Sequence, residues 1–65
     1  MKRRQKMIQV FFRHQEDELE KEWTIHVPAK SEMLAIVVAC KCFVSDGFDL
    51  DDVIDVSTMR SYSYL

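Results

Sequence analysis

The stretch Ser31–Gly47, read SEMLAIVVACKCFVSDG, constrains this chain more than any other. Ser31 can accept a hydrogen bond from a free backbone N–H at a helix start, and Glu32 follows where the helix end is positive. Asp46-Gly47 closes the stretch, glycine being the residue that turns left-handed at little cost. Between these signals Met33, Ile36, Val37, Cys40 and Val44 recur at helical spacing as one apolar face, with Phe43 beside it. Leu34 and Val38 occupy the opposite face, and Lys41 is the only charge in mid-helix. A surface helix normally turns a polar side to water, so this one is expected to bury both faces, the second against a partner. The Ile-Val-Val run within Ala35–Ala39 also suits a buried strand, since β-branched residues are weak helix formers.

Size makes that second face matter. A chain of 65 residues, 48% of them hydrophobic, is one small domain. Such a domain buries only about 60% of its unfolded surface and is marginal without a staple or a partner. Cys40 and Cys42 do not supply a staple, because two residues apart on a helix their side chains diverge. No histidine joins them at metal-ligand spacing, so they read as small hydrophobes of a reducing compartment. No apolar run approaches the ~18 residues of a membrane span, and the basic start MKRRQK is not followed by a signal-peptide core. The expectation is a soluble, cytoplasmic protein.

Charge is uneven along the chain. Four of the nine basic residues (Lys2, Arg3, Arg4, Lys6) lie in the first six positions, leaving five against all eleven acids, a formal −6, from Met7 onward. The first six residues read as a solvated basic tail. A nucleic-acid contact there is disfavoured, because an acidic body repels phosphate and no aromatic residue interleaves with the basic run.

In chain order, residues 7–14 alternate as a strand, with Ile8, Val10 and Phe12 on one side and Gln9, Phe11 and Arg13 on the other. The acidic run 15–22 lacks apolar period and reads as a hairpin connection. Residues 22–27 alternate again with Trp23, Ile25 and Val27 inward, and Pro28 ends that strand. After the helix comes a turn-rich acidic segment, GFDLDD, and residues 53–59 form a third strand with Ile54 and Val56 inward. The architecture is α+β: a β-β-α-β domain over residues 7–60, its mainly antiparallel sheet covered on one face by one helix. Residues 61–65 are either a frayed tail or a short strand extension.

Chemistry-bearing residues are few. His14 and His26, the only imidazoles, sit at strand-end or outward positions as surface histidines, with no serine or cysteine beside them to activate. Asp46–Asp52 lacks the alternating oxygen ligands and closing glutamate of a calcium loop, and a single glycine cannot build a phosphate cradle. The sequence is therefore read as that of a binding protein, with no catalytic residues, no metal and no cofactor. An acidic body with a surplus apolar face suits docking to a basic groove on a larger protein. Glu16, Asp17, Glu18, Glu20 and Glu22 would steer the encounter, while Leu34, Val38 and Phe11 would anchor it around Lys41. The same apolar face also suits pairing with a second copy.

Four segments carry a family resemblance: Met7–Phe12, Lys21-Glu22-Trp23-Thr24, Lys41-Cys42-Phe43-Val44-Ser45-Asp46 and Val53-Ile54-Asp55-Val56. In order and approximate spacing they resemble the T-even phage antitoxin family termed discriminator of mRNA degradation. The resemblance implies a small single-domain protein that binds and silences a host or plasmid RNase toxin in the infected cell. This chain differs in its basic extension, its GFDLDD segment and its more apolar helix. A weaker resemblance, through Ala29–Ser31 and Gly47-Phe48-Asp49, is to the small T-odd phage inhibitor of host RNA polymerase, which implies the same β-β-α-β order and an acidic binding face.

Overall fold

The computed structural model describes residues 4–64, with side chains from 6 to 61. Three strands, β1 (Arg4–Glu16), β2 (Leu19–Pro28) and β3 (Val53–Tyr64), form an antiparallel sheet in the order β2-β1-β3. One helix, α1 (Glu32–Ser45), joins β2 to β3 through a single 3-10 turn at Leu50–Asp52. The domain is thus the expected β-β-α-β, drawn out to 48 × 17 × 17 Å by its long strands.

The alternation in β1 settles the sheet. Ile8, Val10 and Phe12 are fully buried on one side, where they pair with Val27, Ile25 and Trp23 of β2. α1 lies over β1 and β2 on this side, and Ala35, Ala39 and Phe43 face inward to complete the core. Ile36 and Cys40 flank that contact. The buried face is therefore rotated from the Met33–Val37–Val44 face expected from spacing, and all three of those residues are exposed. Two alanines let the helix backbone approach the sheet closely, and Phe43 fills the wider space at its C-terminal end. Branched side chains at the contact would hold the helix off.

Both helix signals operate. Ser31 Oγ accepts from the Leu34 N–H at 3.2 Å. At the other end the Gly47 N–H donates to the Val44 carbonyl, and the Phe48 N–H to the Phe43 carbonyl. Those two bonds are a Schellman closure, for which Gly47 adopts φ 98°. The apolar contact that accompanies the motif is Phe48 stacked on Phe43 at 4.9 Å.

Several sequence expectations need correction. The acidic run is not a loop: only Asp17 and Glu18 turn, both at positive φ, and the ladder closes at Glu16↔Leu19. Its charges fit in strands because they project into water and counter-pair, Glu16 with Lys21 at 3.5 Å and Glu20 with Arg13 at 3.9 Å. The described part of the basic start, expected as a tail, pairs with the C-terminal segment, which takes the strand extension, one of its two expected forms, with Arg4 opposite Tyr64. Residues 1–3 and 65 of those tails lie outside the described residues. Ile54 and Val56 are not core. α1 leaves β3 uncovered, so both are more than a third exposed, and a bulge between Asp55 and Val53 leaves Ile54 unpaired.

Candidate functional site

The helix returns its C-terminal end to the β1–β2 turn, and this joins two acidic segments that are distant in sequence. The Trp23 indole N–H donates to Asp46 Oδ2 at 3.1 Å. Arg13, on the uncovered face of β1, reaches Glu20 on one side and Asp55, at 4.0 Å, on the other. Ten of the eleven carboxylates, all except Glu32, belong to these two segments. They gather at one end of the rod, countered there by Arg13, Lys21 and, further along α1, Lys41. At the opposite end the Lys6 ammonium donates to the Lys30 carbonyl at 3.4 Å, and Arg60 pairs with Glu32 at 3.5 Å. These ion pairs are exposed and individually contribute little. Their arrangement makes the molecule electrically polar along its length, with the negative pole at the hairpin.

A cleft of about 470 Å³ opens in that pole, lined by His14, Gln15, Glu16, Asp17, Gly47, Phe48, Asp49 and Asp52. The Asp49 side chain accepts from the Asp51 N–H at 2.9 Å and so caps the 3-10 turn that forms one wall. Two of its lining residues, His14 and Phe48, belong to a larger aromatic cluster. Phe12, Trp23 and Phe43 meet at centroid distances of 5.1–5.5 Å, and His14 lies edge-on to Phe43 at 5.2 Å and tilted against Phe48 at 5.0 Å. His14 is only 3% exposed. The expectation of a surface histidine fails because position 14 continues the inward set of Ile8, Val10 and Phe12. Its missed signal was that alternation, which runs into the acidic stretch. His26 is exposed, opposite Gln9 on the uncovered face.

Along its length, from the end that carries Glu32 to the acidic pole, α1 presents Met33 (76% exposed), Leu34, Val37, Val38 and Val44 to solvent, with Lys41 among them. Leu34 and Val38 are both exposed on this helix. Phe11 does not join them. It is half-buried on the other side of the sheet, in register with Thr24 and Ser57. Of the expected contact residues, Glu16 and Asp17 line the cleft, Glu18 is the other residue of the hairpin turn, Glu20 and Glu22 lie with Arg13 on the uncovered face of the sheet, and Leu34, Val38 and Lys41 are exposed on the helix. Cys40 and Cys42 are free thiols.

Among the described residues no group of three His, Cys, Asp or Glu side chains is placed to hold a metal ion. No helix there is long and apolar enough to cross a membrane. No protein-family model matches this chain, and neither the curated proteins nor the solved structures provide a match.

Proposed function

We propose that this chain is a non-catalytic protein inhibitor that binds a basic partner one-to-one and blocks its working surface. In the fullest form of the reading it is a phage antitoxin acting in the cytoplasm of the infected host cell, where it occludes the RNA path of an RNase toxin. The observation that carries this is the acidic pole beside an uncovered apolar helix face. An RNA-cleaving enzyme must be basic where it holds phosphates. A carboxylate-dense tip would be drawn to that surface, and Leu34, Val37 and Val38 would then supply the desolvated anchors. The segmental resemblance to the discriminator of mRNA degradation family supports the same target class.

The test is capture from host lysate at low and moderate salt, followed by inhibition of the captured enzyme at equimolar ratio. The expected result is an RNase whose cleavage stops at 1:1. A Glu16→Lys/Glu18→Lys/Glu20→Lys variant should associate at least about tenfold more slowly at low salt and approach wild type at high salt. Equal association rates at every ionic strength would sink the steering role, and recovery of RNA polymerase instead would move the reading to an inhibitor of transcription.

Homodimerisation is the second reading, and β3 favours it. It is a sheet edge of 12 residues carrying exposed Ile54, Val56 and Met59, open to pairing with another strand. A mass of twice 7.7 kDa in solution would support it.

A further inference from the structure

The cleft at the acidic pole contains a deeply set polar side chain that pairs with nothing else in the described fold. The His14 side chain makes no hydrogen bond to any described residue, although it is 97% buried. No described buried nitrogen or oxygen is both sealed from solvent and unpaired, so the imidazole nitrogens keep access to solvent, and the side of the molecule on which His14 borders open space is this cleft. A polar ring whose nitrogens pair with nothing in the fold is free to pair with a ligand seated in the cleft.

The surroundings select the ligand's chemistry. Glu16, Asp17, Asp49 and Asp52 line the same cleft and repel anions. An imidazole can offer an acceptor nitrogen to a donating ligand, and the carboxylates favour a cationic one. A bare metal ion is a poor match, since no three of these groups are placed to coordinate one and the space is many times an ion's size. A planar cation fits better. The Phe48 ring lines the wall, where a guanidinium can stack, and its five N–H groups can pair with carboxylates in bidentate fashion. An ammonium offers neither property.

We infer that this cleft receives an arginine side chain of the protein partner, which stacks on Phe48, donates to His14 and pairs with the rim carboxylates. The inference rests on the reading of a basic partner and adds to it the residue type that this partner inserts.

The test is a nitrogen-15 NMR titration of the full chain with N-acetyl-arginine amide, repeated with N-acetyl-lysine amide. The expected result is a saturable set of shifts confined to the surroundings of His14, Asp17 and Phe48, with arginine binding more tightly than lysine. His14→Phe, which keeps a ring in the aromatic cluster, should weaken arginine binding roughly tenfold, the effect of losing a hydrogen bond to a charged donor. Asp17→Asn should also weaken it, and asparagine tolerates the positive φ of the turn, so this variant remains informative should His14→Phe disturb the core. Equal, unsaturating shifts spread over all the acidic residues with both probes would overturn the proposal. So would zinc alone saturating His14 at stoichiometric amounts and excluding the arginine probe. An RNase inhibited equally well by wild type and both variants, with no arginine probe in the cleft, would remove this inference and leave the proposed function standing. A filled cleft with no basic partner captured would do the reverse.

Discussion

Replacing Phe43 with alanine should come close to unfolding the domain, while the same change at the adjacent Val44 should hardly be felt. Phe43 is fully buried, in contact with Phe12, Trp23 and His14 edge-on and with Phe48 face-on, so its ring is the hub of the aromatic cluster. A buried Phe→Ala change removes transfer free energy and leaves a cavity, together costing about 3–5 kcal/mol. A domain of this length has roughly 3–10 kcal/mol in total, so the variant would lose from about a third of its stability to all of it. Val44 is half exposed, and Val44→Ala loses little burial while gaining helix propensity, for a net change within about 0.5 kcal/mol. Urea unfolding followed by the fluorescence of Trp23, which sits 5.2 Å from the Phe43 ring, measures both. A slope of about 1 kcal/mol/M turns the Phe43→Ala loss into a midpoint shift of several molar. A loss below about 1 kcal/mol for Phe43→Ala, or a larger loss for Val44→Ala than for Phe43→Ala, would refute this orientation of the helix.

Two further outcomes follow from the backbone and the helix contact. Glu18 holds φ 68° in a two-residue hairpin turn, a conformation that costs a residue with a Cβ about 1–2 kcal/mol, so Glu18→Gly should stabilise the fold by about 0.5–1 kcal/mol in the same urea assay. Ala39 is fully buried under the helix against the sheet, so Ala39→Leu should cost about 1–3 kcal/mol through overpacking, read as a lower thermal midpoint.

The elements themselves were legible because each rests on a local rule. Alternation placed Ile8, Val10 and Phe12 on one side of β1, Pro28 ended β2, and Ser31 and Gly47 bounded α1, all before any tertiary contact is considered. The rotation of α1 was not legible, for a physical reason. When Met33, Leu34, Ile36, Val37, Val38 and Val44 are all apolar, hydrophobic period no longer distinguishes one face from another, and the choice falls to fit. Fit against a flat sheet favours the small Ala35 and Ala39, an outcome invisible to a scale that ranks them below valine and isoleucine. The hairpin turn was hidden because Asp17-Glu18 lacks the glycine that usually marks such a turn, and because charged residues on strands read as loop.

What the sequence alone determined is the β-β-α-β order and the presence of more apolar helix surface than one sheet face can cover. Only the tertiary structure decided where the charge lies. The helix runs back along the sheet to the β1–β2 turn, and this superposes residues 16–22 on residues 46–55, converting two separate acidic segments into one pole with a basic opposite end. It also decided the position of His14. Strand alternation directs that side chain inward, and the aromatic cluster closes around it where it lines the cleft. Both depend on contacts between residues more than 20 apart in the chain, such as Trp23 with Asp46, which no local pattern encodes.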